Sequence, residues 1–398
     1  MTVTIDFDFA VIGKGMFGSA AARHLSAAAD RVVLIGPDEP ADRIAPDGVY
    51  ASHYDQGRLT RRAASNRLWA DMTARTFEAM ATLEAATGAT ILRPVGYLAV
   101  HNPAVAPRHS PEDVSAGGGG PVNSTKYDVG DETWRTRFPD LDFPAGCSVV
   151  HEAAPAGVLD PRALVASQIE VAQRQGATVI TDIVTEAHED ADAVTLRLTS
   201  GAEVRCGSVL AAVGSFINQV PLLPVRLGAT VETETFMLGT ISADVGRRLA
   251  TLPTVQYTID APAIADIYMT PPLLYPDGRW KVKMGCNTSA DRVLESLGAI
   301  QTWVCAGDTD VVGDAMKDAM QAMLPRLDFR QFETGPCLIT MTANGHPIID
   351  RVTRRTFVAV GGNGGGAKSS DGWGGLAAQL MLGEGWPDWI DREALATR

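Results

Sequence analysis

The sequence predicts a protein of class α/β combined with α+β, in which a Rossmann-like dinucleotide-binding domain is joined to a substrate domain built on a mixed sheet. Three observations lead to this prediction. A short apolar strand near the N-terminus runs into a glycine-rich turn and then a helix. Residues 229–284 form a strand-rich block. A second strand, glycine run and helix begin near residue 356, so we expect the first domain to be built from both ends of the chain.

Composition supports a soluble globular protein with more than one domain. The 398 residues are 45% hydrophobic and 20% charged, which at roughly 150 residues per domain allows two or three lobes. Lys and Arg number 34 against 47 Asp and Glu, a net charge of -13. Such a surface repels phosphate backbones and anionic lipids, so we expect no nucleic-acid partner and no membrane partner.

Cysteine spacing and the N-terminus indicate a reducing compartment. No C-x-x-C pair occurs, so the sequence predicts no disulfide framework, no structural zinc and no other metal site. Asp6 and Asp8 interrupt the early apolar run, which argues against a signal peptide. No apolar run reaches the roughly 18 residues that a spanning helix needs. We therefore expect a cytoplasmic protein. The five cysteines are Cys147, Cys206, Cys286, Cys305 and Cys337.

The first predicted element is a βαβ unit. Residues 7–12 (FDFAVI) are typical of a parallel strand buried on both faces, and a helical stretch over 19–29 and an apolar run over 32–35 follow. Gly13, Gly15 and Gly18 lie in the turn, where the absence of side chains lets a pyrophosphate approach the helix N-terminus. A dinucleotide site is the favoured interpretation, and a tight structural turn is the alternative.

The usual ribose acid of such a site is missing. Gly36 stands at the end of the second strand, where an acidic residue normally binds the ribose hydroxyls. Either Asp38 or Glu39 reaches back to the ribose, or the ribose is held in another way. An ordinary polar turn explains both acids equally well.

The middle of the chain alternates between the two predicted domains. We expect a helix over residues 63–86, strands over 91–100 and 147–151, and a mobile surface insertion over 102–128, which contains four consecutive glycines. After a helix that has Pro161 near its first turn, further strands and a helix over 308–323 follow. These elements assign residues 1–86, 152–222 and 330–398 to the dinucleotide-binding domain, and residues 87–151 and 223–329 to the substrate domain.

Two other segments carry candidate binding residues. The glycine run over 361–366, which includes Gly364, Gly365 and Gly366, precedes Lys368 and a helix from about residue 373. Free backbone N–H groups there could stabilise negative charge on a cofactor, and a flexible loop without a ligand is the alternative. Residues 52–62 (SHYDQGRLTRR) contain arginines that suit a carboxylate, although by pattern alone a solvated basic face is favoured.

Together these segments resemble the FAD-dependent amine oxidases of the D-amino acid oxidase superfamily, in particular its monomeric sarcosine oxidase and N-methyltryptophan oxidase group. The resemblance covers nearly the whole length. It includes the N-terminal glycine turn, S-H-x-x-x-x-R-x-x-R over residues 52–61, the strand 282–285, the run 337–340 with His346 and residues 348–350, and the glycine run up to Lys368. It implies that the dinucleotide-binding domain binds FAD.

The resemblance also assigns two residues to the flavin ring. It implies a thioether between Cys337 and the 8α-methyl group, so that FAD is covalently attached. It implies that the ammonium of Lys283 stabilises the negative charge that develops as oxygen is reduced. Without the resemblance, Cys337 is a small buried hydrophobe and Lys283 an exposed strand lysine.

The resemblance further implies a cationic pocket for an amino-acid carboxylate, formed by Arg61 and Lys368, with Arg58 as a second arginine near the ring. Tyr268 matches a substrate-side tyrosine. His53 matches a histidine near the flavin, with a hydrogen-bonded loop histidine as the alternative.

Two positions depart from the sarcosine oxidase pattern. Asn287 stands where that group has an active-site histidine near the substrate, and Tyr54 replaces a second histidine. These departures leave the redox chemistry in place and argue against sarcosine itself as the substrate.

The implied reaction is oxidation of the C–N bond of a secondary, N-substituted amino acid to an imine. Water hydrolyses the imine to an amine and a carbonyl compound, and molecular oxygen becomes hydrogen peroxide. Three alternatives stay open: a flavin dehydrogenase that passes electrons to a quinone or carrier, a non-catalytic flavin-binding subunit, and a nicotinamide-dependent dehydrogenase.

Overall fold

The computed structural model describes residues 6–41, 50–64, 66–105 and 122–397. Within these ranges the strands are, in chain order, β1 Phe7–Ile12, β2 Val32–Ile35, β3 Arg58–Thr60, β4 Leu92–Arg93, β5 Tyr97–His101, β6 Ser124–Tyr127, β7 Ser148–Glu152, β8 Gly157–Leu159, β9 Thr178–Ile180, β10 Val184–Glu189, β11 Val194–Leu198, β12 Glu203–Ala211, β13 Ala229–Ile241, β14 Thr254–Thr258, β15 Ile264–Met269, β16 Leu273–Leu274, β17 Trp280–Thr288, β18 Gln331–Thr342, β19 Ile348–Arg351 and β20 Thr356–Val360.

The α-helices of the same ranges are α1 Met16–Ser26, α2 Arg67–Thr87, α3 Trp134–Arg137, α4 Pro161–Arg174, α5 Ala243–Leu249, α6 Leu297–Ala306, α7 Gly313–Met323 and α8 Gly366–Met381. Short 3-10 turns lie at Gly214–Phe216, Asp310–Val312 and Glu393–Leu395.

The first sheet has the strand order β10-β11-β12-β1-β2-β9, with β20 paired to β12 and β19 to β20. Strand β1 pairs in parallel with β2 and β12, and β12 pairs in parallel with β20. The turns that follow β1, β2 and β20 therefore meet at one edge of the sheet, where ligands of open α/β sheets bind. Helix α1 packs against α8 and α4. The predicted βαβ unit is confirmed.

The second sheet has the order β18-β13-β17-β15-β14-β5-β7-β6, with β16 paired to β17. Its pairs are antiparallel except for β14 with β5, so it is mixed. A third, small sheet joins β3, β8 and β4. The predicted fold class is confirmed, and the exact domain boundaries stay a prediction.

Several element boundaries differ from the sequence-based ones. Helix α8 begins at Gly366 rather than near residue 373, because burial of Lys368, Ser369 and Ser370 outweighs the low helix propensity of the glycines. Helix α2 begins four residues later than expected, because the Asn66 side chain caps it by accepting from the Trp69 N–H at 3.1 Å. Helix α7 begins at Gly313, after a 3-10 turn.

The predicted mobile insertion over residues 102–128 lies largely outside the described residues, which omit 106–121. Its described C-terminal part forms β6 rather than a loop. In the described ranges no helix is long and apolar enough to cross a bilayer. The same ranges contain no group of three or more His, Cys, Asp or Glu side chains that could hold a metal ion. None of the five cysteines, all of which lie in the described ranges, forms a disulfide with another.

Candidate active site

Most of the predicted site residues line one large cavity of about 1450 Å³. It exceeds the roughly 300–1,000 Å³ of ordinary small-molecule sites, so a dinucleotide and a second ligand fit together. Its wall includes parts of both large sheets and the first turn of α8. Gly18 and Lys283 are the predicted residues that this wall, as the described residues form it, does not include. The predicted residues on the wall are Gly13, Gly15, His53, Arg58, Arg61, Tyr268, Asn287, Cys337, Gly364, Gly365, Gly366 and Lys368.

The glycines of the first turn have two different functions. Gly13 has φ of +106°, and a Cβ there would lie 2.4 Å from the Ala212 carbonyl oxygen. A Cβ on Gly18 would lie 1.9 Å from the Gly13 carbonyl oxygen. Gly15, the residue before α1, has no neighbouring atom within 4 Å of its Cβ position. Gly13 and Gly18 thus permit close packing, while Gly15 leaves the helix N-terminus open to an anion such as a pyrophosphate.

Packing explains why Gly36 stands where an acid usually binds the ribose. A Cβ on Gly36 would lie 2.7 Å from the Lys14 backbone nitrogen. The Lys14 ammonium is ion-paired with Asp38 and donates to the Thr181 hydroxyl at 3.1 Å. Glu39 pairs with Arg162 at 2.6 Å. Both acids that could bind the ribose therefore already have cationic partners.

The second glycine run also forms a turn before a helix. Gly361 and Gly364 have φ of +93° and +72°, and Asn363 has φ of 46°. The Asn363 amide oxygen accepts from the Thr342 N–H at 2.8 Å, which ties the turn to β18. Gly365 immediately precedes α8, whose first turn lies on the cavity wall.

Arg61 and Lys368 form a cationic corner of the cavity. The Arg61 guanidinium lies 4.8 Å from the centre of the Tyr97 ring. Lys368 is buried, and its ammonium donates to the Ala63 carbonyl at 3.1 Å. Burial and the nearby Arg61 charge hold the pKa of Lys368 well below its usual range, while Glu152 opposes them. The corner therefore favours an anion, which would restore the charge on Lys368.

Glu152, which sequence reasoning missed, supports this corner. Its buried carboxylate accepts from the backbone N–H groups of Arg62 at 2.7 Å and Ala63 at 3.1 Å. It thereby fixes the chain that follows Arg61 and carries the carbonyl bonded by Lys368. The sequence offered no motif for it, because the pairing depends on residues about 90 positions apart.

Asp55, Arg58 and Lys283 form a largely buried ionic cluster, in which Asp55 and Arg58 reach the cavity wall and Lys283 lies behind it. The Arg58 guanidinium and the Lys283 ammonium both bond the same Asp55 oxygen. Lys283 is 1% exposed, which corrects the interpretation of an exposed strand lysine. Burial lowers the pKa of Lys283, as does Arg58, while Asp55 raises it. Burial alone would raise the pKa of Asp55, but Lys283 and Arg58 lower it below its usual range.

Cys337 lies beside a buried acid on the neighbouring strand. The antiparallel register of β13 and β18 sets Glu234 opposite Cys337. Burial and the charge of Glu234 raise the pKa of the Cys337 thiol. Tyr268 donates its hydroxyl hydrogen bond to Glu234. Burial also raises the pKa of Glu234, which places a weakly acidic carboxyl group on the cavity wall.

The two remaining predicted residues lie on the same wall. The His53 ring is buried, its Nδ1 has no partner among the described residues, and burial lowers its pKa to about 4. His53 is therefore neutral at pH 7. The Asn287 amide nitrogen donates to Asp266 at 2.6 Å, which fixes the orientation of the amide.

The family model described as "FAD dependent oxidoreductase" (DAO) matches residues 8–380. The chain belongs to this family. A curated monomeric sarcosine oxidase from Streptomyces avermitilis is 29% identical over 177 residues, which cover 43% of this chain and 42% of the relative. The match thus spans less than half the length of that relative.

Solved structures show the same fold over nearly the whole chain. The structure of NikD, described as an unusual amino acid oxidase essential for nikkomycin biosynthesis, has a TM-score of 0.77 at 20% identity and covers 99% of this chain and 98% of its own. Iminodiacetate oxidase from a Chelativorans species has a TM-score of 0.68 at 18% identity and 98% coverage of both chains. The family identifies FAD as the cofactor, and the open helix N-terminus at Gly15 fits its pyrophosphate.

Proposed function

We propose that this protein oxidises the C–N bond of a secondary, N-substituted amino acid to an imine, which water hydrolyses, and that molecular oxygen is reduced to hydrogen peroxide. The observation that carries the proposal is the cationic corner of Arg61 and Lys368 on the wall of the cavity that also contains Cys337 and the cofactor glycines. The names of the similar proteins, sarcosine oxidase and iminodiacetate oxidase, support a substrate that is both an amine and a carboxylate.

The residues that would hold FAD lie in three places. Gly13 and Gly15 free the N-terminus of α1 for the pyrophosphate, and the first turn of α8 offers N–H groups to negative charge on the ring. Cys337 would form the covalent bond to the ring. When bound, FAD supplies the two-electron chemistry at the C–H bond next to nitrogen.

The cationic corner would perform two tasks. Arg61 and Lys368 would bind the substrate carboxylate and so orient the C–H bond. Their positive charge would also lower the pKa of the substrate amine, which keeps the nitrogen neutral with its lone pair available. Because burial and Arg61 hold the pKa of Lys368 well below its usual range, carboxylate binding should take up a proton. The contribution of Lys368 to substrate affinity should therefore fall as pH rises.

Other wall residues would surround the amine. Tyr268, oriented by Glu234, and Asn287, oriented by Asp266, present polar groups to the cavity. His53, neutral at pH 7, would contact the flavin. Arg58 and the buried Lys283 would supply positive charge where oxygen is reduced. We also propose a cytoplasmic location, which the absence of disulfides among the described cysteines supports.

Anaerobic mixing with a panel of N-methyl amino acids tests this proposal. The yellow colour should fade with carboxylate-bearing amines and stay with the matched methylamines that lack the carboxylate. Admission of air should restore the colour and produce one peroxide per turnover. Equal bleaching by the carboxylate-bearing amines and the matched methylamines would refute the role of the cationic corner in substrate binding. Slow reaction of the reduced protein with air, together with fast reduction of an artificial dye, would indicate the dehydrogenase. A flavin that no amine bleaches would indicate a non-catalytic subunit.

Lys368→Met provides the matched variant. The apparent KM for a carboxylate substrate should rise at least tenfold and should lose the part of its pH dependence that comes from Lys368, while flavin content stays unchanged. An unaltered KM would contradict the role of Lys368.

A further inference from the structure

The Asp55 carboxylate accepts hydrogen bonds from four donors, two of them close to it in the sequence and two more than 200 residues away. Lys283 and Arg58 donate to one oxygen. The Gln56 N–H at 2.7 Å and the Tyr275 hydroxyl at 3.3 Å donate to the other. The side chain is 11% exposed. A carboxylate with this many donors stays ionised, and its position is fixed from β3, β16–β17 and its own loop.

The cluster holds two cations against one anion. Arginine cannot lose its proton under ordinary conditions, whereas a buried lysine readily does. Since Arg58 lies beside Lys283, the repulsion between them would remove the proton from Lys283 if Asp55 carried no charge. With Asp55 ionised, the cluster presents one net positive charge to the cavity.

The other groups around Lys283 do not replace Asp55. The Phe236 and Tyr268 rings lie 5.4 Å from its ammonium and carry no charge at neutral pH. Glu234 and Cys337 are the remaining titratable groups that face the cluster from β13 and β18, and burial raises the pKa of both. The Arg162 guanidinium also interacts electrostatically with Asp55 and adds further positive charge.

We propose that Asp55 is a positioning residue that keeps Lys283 protonated and in place for the reaction with oxygen. The inference rests on the proposed function, because it assigns the oxygen step to Lys283. It adds a residue that the family resemblance does not supply, and it predicts a pH dependence that a merely structural ion pair would not produce.

The test compares the flavin-loaded wild type with Asp55→Asn, which keeps the shape and one acceptor but removes the charge. Each protein is reduced anaerobically by substrate and then mixed with oxygen between pH 6 and pH 10. The rate of reoxidation should fall with rising pH in both, and the fall should come at least one pH unit lower in Asp55→Asn. At the high end of the range this difference amounts to at least tenfold, while near pH 6 the rates should agree within about threefold.

Two further variants separate charge from packing. Tyr275→Phe removes a neutral donor from the same carboxylate and should leave the pH profile unchanged. Asp55→Asn/Lys283→Arg carries a permanent charge and should lose the fall at high pH. The flavin reduction potential gives a readout other than turnover. At low pH, where Lys283 is charged in both proteins, the potential of Asp55→Asn should exceed that of the wild type, and the two should converge at the intermediate pH where Lys283 has lost its proton only in the variant.

The outcomes separate the inference from the proposed function. If the wild type oxidises no amine, the proposed function fails first. If the wild type is active and the pH profile of Asp55→Asn coincides with it, only the role of Asp55 is overturned. If Asp55→Asn does not fold, Asp55→Asn/Lys283→Met should fold, because the unpaired cation is gone. Failure of that double variant as well would show that Asp55 acts on something other than Lys283.

Discussion

Asp371 is a buried carboxylate whose removal should destabilise the dinucleotide-binding fold by a calculable amount. It lies in α8 with its side chain 4% exposed. Arg23 of α1 donates to it at 2.7 Å, Gln168 of α4 at 2.6 Å, and His24 lies at 3.1 Å. One side chain therefore joins three helices that cover the first sheet. The perturbation is Asp371→Asn, which conserves volume and removes the charge.

The lowered pKa of Asp371 gives the size of the expected loss of stability. Burial alone would raise the pKa of Asp371, but His24 and Arg23 outweigh it and lower the pKa from 3.8 to about 2. This shift corresponds to about 2.5 kcal/mol of stability. Loss of one partner of a buried ion pair costs about 3–5 kcal/mol. We therefore expect Asp371→Asn to lower the free energy of unfolding by about 3 kcal/mol at pH 7.

The sign of the pH dependence follows from the lowered pKa. The stabilisation is fully present above the unfolded pKa of about 3.9 and is lost as pH falls through the folded pKa of about 2. Guanidinium unfolding at several pH values should give a difference that is fully present at pH 5 and shrinks below pH 4. Asp244→Asn is the control, because Asp244 forms an ion pair with Arg247 in which both side chains are exposed, 93% for Asp244 and 62% for Arg247. Equal stabilities at pH 7, or a difference that does not shrink in acid, would refute the reasoning.

Three other predictions follow from the site. Gly13→Ala should lower the melting temperature, because its Cβ would meet the Ala212 carbonyl. Gly15→Ala should leave the melting temperature of the FAD-free protein unchanged and should lower the flavin content. If both variants changed melting temperature and flavin content alike, the assignment of packing to Gly13 and of anion binding to Gly15 would be contradicted. Gly285→Ala, whose Cβ would lie 2.0 Å from the Tyr268 ring, should displace that ring and lower kcat without altering flavin content. Cys337→Ala should release the yellow colour on acid precipitation, whereas the wild type should keep it in the pellet; colour in the supernatant of both would exclude covalent attachment.

The parts of the site that follow local rules could be predicted from the sequence. A buried strand, a glycine turn and a helix are specified by neighbours in the chain, so β1 and the Gly13 turn were recognisable. The resemblance contributed Arg61, Cys337 and Lys368, which the pattern alone did not single out. All three lie on one cavity wall.

The ionic partners could not be predicted, because they depend on the tertiary fold. Asp55 lies 228 residues from Lys283 in the sequence, and Glu152 lies about 90 residues from the backbone it holds. Asp55 occupies an unspecified position of the motif over residues 52–61, and Glu152 belongs to no motif. The start of α8 was placed too late for a similar reason, because helix propensity disfavours its glycines and only burial of the first turn fixes the helix there.

The most direct test of the central claim is a crystal structure of the flavin-loaded protein with an unreactive carboxylic acid analogue of the substrate. The account predicts that the flavin ring contacts Cys337 and that the carboxylate of the analogue bonds Arg61 and Lys368. A carboxylate bound elsewhere in the cavity, or a flavin ring remote from Cys337, would contradict it.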